Sequence, residues 1–464
     1  MLFNSIEFLF LFLPITYIVF WLLGTAQSRY IWLAITGYVF YAFWDARFCL
    51  LMAFSTLVSF SAGLGFLSTS KPALRRLYLI VPIAVDLSLL GFFKYTNFAL
   101  ESTSLIATWF GGTFLPPVLN IVLPIGISFY TFHTITYIVD CYRGTIKPTR
   151  NIFEFLAYVS LFSQLVAGPI VRFREIENDL ESLGRADRTR WLAKGIVFFL
   201  FGMLEKVLVA DTLAAWVDPG WTRSHELSTT ATWLMVVSYT FQLYFDFCGY
   251  SSMAIGLGYM FGIQIPKNFD SPYKALDPSD FWRRWHISLS TCLRDYLYIP
   301  LGGSRGSAWM THRNLLITML LGGLWHGANW TFVFWGLYHG VLLVGHRQLS
   351  TSWNSVPSLL RQLVMFILVV VGWVLFRSAS LAEASGILVR MFNFYPGDGL
   401  PRSMELICTL TGVGYVAMFG PNVFDLFNNY NWRRWHGIAL AIVFGICTAI
   451  ITGGGKSPFL YFQF

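Results

Sequence analysis

Residues 320–340 read LLGGLWHGANWTFVFWGLYHG. Taken alone this is an apolar membrane segment, yet it carries two imidazoles, His326 and His339, and an interruption at Gly327-Ala328-Asn329. Hydrocarbon offers an imidazole no water, so its ring must be met by protein groups or by a polar cavity. Irregular backbone at membrane depth is tolerated only where protein buries it or where it lines such a cavity. Arg313 follows the glycine-rich, basic turn GGSRGS and marks a membrane face. His326 lies thirteen residues beyond it. At ~1.5 Å per residue that is about 20 Å of helix, well inside a hydrocarbon layer ~30 Å thick. Gly322 and Gly323 would let another helix or a ligand approach closely.

The rest of the chain is of the same kind. Its 464 residues are 56% hydrophobic and 12% charged, against about a quarter charged in an ordinary soluble domain. Nearly uncharged stretches recur at 8–24, 49–69, 77–93, 118–139, 230–245, 317–343, 364–376 and 438–452. They predict an all-α polytopic membrane protein of roughly a dozen crossings (about 11–13). No stretch of soluble composition is long enough for a second domain, so residues 1–464 are expected to form one integral-membrane unit. The first segment has no positive start and no small-residue cleavage site, and is read as a retained crossing.

The net charge of +8 does not point to nucleic acid, because the basic residues sit in short loops such as KPALRR (71–76), YRGTIKPTR (142–150) and WRRWH (432–436). Such clusters set orientation in a membrane. With the first two loops cytoplasmic, the chain between them forms an outward hairpin near ESTSLIATWFGGTFLPP (101–117), and both termini fall outside. The six cysteines are far apart and form no C-x-x-C pair, so neither a metal site nor a disulfide is expected. GGGKS (453–457) looks like part of a phosphate loop, but the motif needs a glycine where Ile450 stands.

Two regions interrupt the apolar pattern. Residues 171–194 mix both charge signs with Val, Ile and Leu at helical spacing, the pattern of an interfacial amphipathic helix followed by a return into the bilayer. Residues 265–314 are richer. A helix start is expected at Asp277-Pro278-Ser279-Asp280, with Ser279 or Asp280 as its cap. One helix is then expected to run to Pro300, alternating aromatics with Arg and Asp. It reads either as an interfacial anchor or as the wall of a cavity that admits a phosphorylated ligand from the cytoplasm.

Ionisable residues at membrane depth are costly and mark structure-forming pairs or function. Glu205, Lys206 and Asp211 form one set; Asp86 and Lys94, two turns apart, are a second and are expected to pair locally. Asp246, inside FQLYFDFCGYSSMAIGLG, is the candidate for a supporting part in chemistry. His326, at a break within the membrane, is the candidate general base, a role worth ~10²–10⁴ in rate. His339 is expected to support it if the chain turns at Gly327–Asn329; region 312–346 is thus the candidate catalytic region.

Together these residues resemble the membrane-bound O-acyltransferase family, in particular its bacterial branch that O-acetylates alginate. The resemblance is carried by NSIEFLFLFLP, LPIGISFYTF, AGPIVRF, YFDFCGYSSMAIGLG, PKNFDSPY, DFWRRWHISLSTCLRDYLYIPLGGSR and LLGGLWHGANWTFVFWGLYHG. His133, Cys248 and Cys292 depart from the family's usual residues. The resemblance implies a ring of transmembrane helices around a tunnel, with His326 at its narrowest point and His339 as the second family histidine. It implies acetyl-CoA as a cytoplasmic thioester donor, with no permanently bound cofactor, and acetyl transfer outward across the bacterial inner membrane. An SGNH-type periplasmic partner and a polysaccharide synthesis and export complex are the implied partners, alongside membrane lipids. The acceptor polymer would be alginate, cellulose or peptidoglycan. Within that scheme Arg283, Arg284, Arg294 and Arg305 would attract donor phosphates, with Trp325 beside them, and Asn329 or backbone amides would stabilise the oxyanion. Two rivals stand beside it: transfer of D-alanine from a carrier protein to a wall polymer, and a secondary transporter or lipid flippase with no acyl chemistry.

Overall fold

The computed structural model describes residues 1–117, 119–166, 168–185, 187–429, 432–454 and 459–460. Among these the chain is helical, with no strand beyond an isolated bridge between Leu227 and Asp398. Arg47–Ser68, Pro72–Trp109, Ser358–Arg377 and Arg434–Thr452 are each long and apolar enough to cross a membrane. Ser403–Phe419 and Val423–Asn429, bent by 59° at their junction, make a fifth span if taken together. Other long helices, such as Thr229–Met260, carry polar side chains that the protein buries. There Ser238 and Thr240 return their hydroxyls to the carbonyls of Leu234 and Val236 one turn back, so their polarity costs little inside the bundle. The protein is a multi-pass, all-α membrane protein.

The chain divides into two compact units, residues 1–197 with 254–266, and residues 198–253 with 267–464. The first has an aromatic centre, where Phe3, Phe8, Phe12, Phe40 and Phe162 pack ring to ring. Three expectations are corrected in it. Pro72–Trp109 is a continuous helical stretch, so residues 101–109 extend a helix and are not a loop. The apolar run after it is not helical until Ile127, because Pro116, Pro117 and Pro124 withhold amide protons; Val118 lies outside the described residues. Asp86 does not depend on Lys94: its two oxygens accept from Ser55 Oγ at 2.6 Å and Thr134 Oγ1 at 2.7 Å. The expected amphipathic helix is present at Phe173–Glu181, with Phe173, Ile176 and Leu180 on its buried face.

In the second unit Glu205 and Lys206 sit in a wide helical turn, Leu204–Ala210. Lys206 Nζ is 2.7 Å from Asp211 and 2.5 Å from Asp246, and Ser252 donates to Glu205 at 3.1 Å. Each buried charge thus has a partner. The expected single helix through residues 278–300 is in fact broken. Pro278–Arg284 and Ile287–Leu293 are separate, and a wide turn, Arg294–Tyr298, continues the second. Its cap is Asp277, which accepts from the Asp280 amide at 2.8 Å; neither Ser279 nor Asp280 fills that role. Gly455, Lys456 and Ser457 of the GGGKS stretch lie outside the described residues.

Candidate active site

The opening stretch folds as a helical hairpin. Ala308–His326 begins at Ser307, whose hydroxyl accepts from Met310 N–H, and ends at His326. Gly327 is extended, and Trp330–Asn354 follows. Two glycines bring the helices together. A Cβ on Gly323 would collide with the carbonyl oxygen of Phe332, and one on Gly336 with that of Met319. Larger residues would force the backbones apart.

This hairpin and the two short helices, Pro278–Arg284 and Ile287–Leu293, enclose a cavity of about 620 Å³. From the first arm come Leu315, Thr318, Met319, Gly322 and His326, one face of that helix. The second arm contributes Trp335, Leu343, His346, Arg347 and Ser350. Leu315 to His326 is eleven residues, so the cavity follows about 16 Å of helix at ~1.5 Å per residue. One end is polar and basic, with Ser279, Arg283, Arg294, Ser304, Arg347 and Ser350; the other is formed by Met319, Gly322, Trp335 and His326.

His326 is buried, 5% exposed, with its ring 5.1 Å from Trp335, 5.0 Å from Trp325 and 5.3 Å from Phe376. A third imidazole lies near it. His286 is fully buried and is not a lining residue of the cavity; its ring centre is 6.2 Å from that of His326, within ring-packing distance. His286 connects the two short helices at φ 43° and ψ 54°, a left-handed conformation uncommon for a residue with a Cβ. Asn268 holds it there, with Oδ1 3.1 Å from His286 Nδ1 and accepting also from the Ser288 amide and hydroxyl. Because that oxygen can only accept, Nδ1 carries the proton and the lone pair resides on Nε2.

The other candidates divide. Arg283 and Arg294 line the basic end, 4.0 Å from Asp280 and 2.7 Å from Asp295 respectively. Arg284 is turned to Asp280 and the Asp270 carbonyl, and neither it nor Arg305 lines the cavity. Trp325 packs on His326 and His286 from outside the cavity lining. Asn329 does not face the cavity. Its side chain caps the second arm by accepting from Thr331 N–H, and its amide donates to the Ala379 carbonyl at 2.9 Å, so both ends are spent on structure. His339 is 1% exposed and stacked on Phe281 at 5.9 Å, with Trp335, Trp282 and Tyr338 around it; it too is not a lining residue. Asp246 is held by Lys206 and likewise lies outside the lining.

Sequence reasoning missed His286, His346 and Arg347. The last two were findable: Leu343, His346, Arg347 and Ser350 fall at i, i+3, i+4 and i+7, a polar-tipped helical face.

The sequence has known relatives. The sequence pattern of the membrane-bound O-acyltransferase family (MBOAT) matches residues 127–380, and the chain belongs to that family. It is therefore a membrane acyltransferase. A probable alginate O-acetylase, AlgI, of Pseudomonas aeruginosa is 47% identical over 400 residues, covering 85% of this chain and 75% of that protein. The Pseudomonas putida protein of the same name is 40% identical over the full length of both. A peptidoglycan O-acetyltransferase of Helicobacter pylori is 38% identical, covering 84% of this chain and 80% of its own.

Proposed function

We propose that the protein transfers acetyl groups from acetyl-CoA, a cytoplasmic thioester, across the bacterial inner membrane for O-acetylation of an exported polysaccharide, with alginate the favoured polymer. The observation that carries this reading is the cavity with a basic, hydroxyl-lined end and His326 at the other end. On this reading the phosphates of the donor pair with Arg283, Arg294 and Arg347, and its acyl arm reaches inward along Leu315, Met319 and Gly322. His326 takes the proton from an acceptor hydroxyl as that oxygen attacks the thioester carbonyl. The tetrahedral intermediate then collapses, the C–S bond breaks and the coenzyme leaves as its thiolate. His286, tautomerically set by Asn268, packs on His326 from outside the cavity lining and holds that ring in place.

The names of the relatives favour an acetyl group and divide between alginate and peptidoglycan as acceptor. Delivery to the glycan proceeds through a periplasmic SGNH-type partner and the export complex, with the N-terminus of this chain on the periplasmic side. The test is the O-acetyl content of the extracellular and wall polysaccharides, compared between wild type and His326→Ala at matched membrane abundance. Loss from one polymer supports the reading and names the acceptor. Unchanged acetylation of every polymer removes His326 from the mechanism.

A further inference from the structure

A contact far along the chain reaches the same centre. Phe459 and Leu460 are 1% and 2% exposed, as buried as any core residue. The Leu460 amide donates to Asp246 Oδ2 at 3.0 Å, while the other oxygen, Oδ1, is 2.5 Å from Lys206 Nζ. Asp246 thus divides its carboxylate between an ammonium group and a main-chain N–H from this segment. The Phe459 ring lies 4.6 Å from Tyr250 and 6.0 Å from Phe247, on the same helix as Asp246. Phe247 in turn meets the His286 ring edge to face at 4.7 Å. The series Leu460–Asp246, Phe459–Phe247, Phe247–His286, His286–His326 is continuous, and all of it belongs to the second compact unit.

We infer that the Phe459–Leu460 segment is a positioning element for the reaction: seated on Asp246, it presses Phe247 against His286 and fixes the imidazole that faces His326. Two observations carry this independently. Asp246 spends one of its buried oxygens on the Leu460 amide, a charge-assisted bond that holds the segment in one register. His286 occupies a left-handed backbone conformation, which the surroundings must enforce, and Phe247 is one wall of those surroundings. Asp246 thereby acts through its neighbours and is no catalytic residue. The inference rests on the reading of His326 as the base.

The test uses the full chain in detergent with Leu460→Pro, which removes the donating N–H, Leu460→Ala, which keeps it, and Phe247→Leu. Release of coenzyme A from acetyl-CoA gives kcat and KM. Labelling of His326 by diethyl pyrocarbonate, read by peptide mass spectrometry, needs no turnover. Leu460→Pro and Phe247→Leu are each expected to lower kcat roughly tenfold with KM unchanged, as displacement of a positioned group does. Leu460→Ala should stay near wild type, and the double variant should fall no further than either single one. The labelling rate of His326 should change in Leu460→Pro and not in Leu460→Ala. A Leu460→Pro protein with wild-type kcat and wild-type labelling overturns the inference, as do single defects that multiply in the double variant. If Leu460→Pro does not assemble, Phe459→Ala takes its place with the same expectations. Failure of the catalytic reading looks different: His326→Ala would then turn over normally, whatever the segment variants do to labelling.

Discussion

His326 and His339 stand thirteen residues apart in one hairpin, and both are almost fully buried. The first ends a helix and opens onto a cavity; the second is mid-helix, enclosed by Phe281, Trp282, Trp335 and Tyr338. A Cβ on Gly372 would come within 3.2 Å of His339 Nε2, so even the neighbouring helix is fitted to that ring. Among the described residues neither His339 nitrogen has a hydrogen-bond partner. What separates the two is access to a cavity with a polar end.

Substitutions can break this contrast. His326→Ala should lower acetyl transfer by ~10²–10⁴, the value of a general base, with the protein still assembled; initial rates of coenzyme A release measure it. Replacing both Arg283 and Arg294 by Ala should raise KM for acetyl-CoA about tenfold or more, given ~1.5–3 kcal/mol for a hydrogen bond to a charged group, while kcat holds. An unchanged KM would place the donor elsewhere. His339→Phe, which keeps the ring packing, is expected to leave kcat within about threefold, since it removes no group facing the cavity. A loss as large as that of His326→Ala would make the two histidines equivalent after all. The smallest effect is expected at Asn329. Its replacement by Ala removes a helix cap worth ~1 kcal/mol, which should lower Tm in detergent with little change in turnover per folded molecule.

The membrane character and the break at Gly327–Asn329 were legible because hydrophobicity and a helix-interrupting Gly-Ala-Asn are local signals. The basic end of the cavity was half legible: Arg283 and Arg294 were found, whereas Arg284, on the same short helix as Arg283, is turned to Asp280 and Asp270. Asn329 was assigned to chemistry although its residue type is also the commonest kind of cap, and the cap explains it. The break at His286 was not legible. Trp285-His286-Ile287 contains no glycine or proline, and the turn depends on Asn268, eighteen residues earlier in sequence, which only the folded chain brings near. The apolar run after Trp109 misled for the opposite reason. Its composition suits a membrane helix throughout, but its prolines hold the helix off until Ile127.

The left-handed backbone at His286 has a consequence for how this protein can change. Glycine and asparagine adopt that conformation at the least cost, but the ring here also packs on Phe247 and Trp325 and bonds Asn268. Backbone ease and side-chain packing therefore pull in opposite directions at a single position. His286→Asn is expected to lower Tm in detergent, because the lost packing outweighs the eased backbone. A variant as stable as the wild type would show that the backbone conformation dominates.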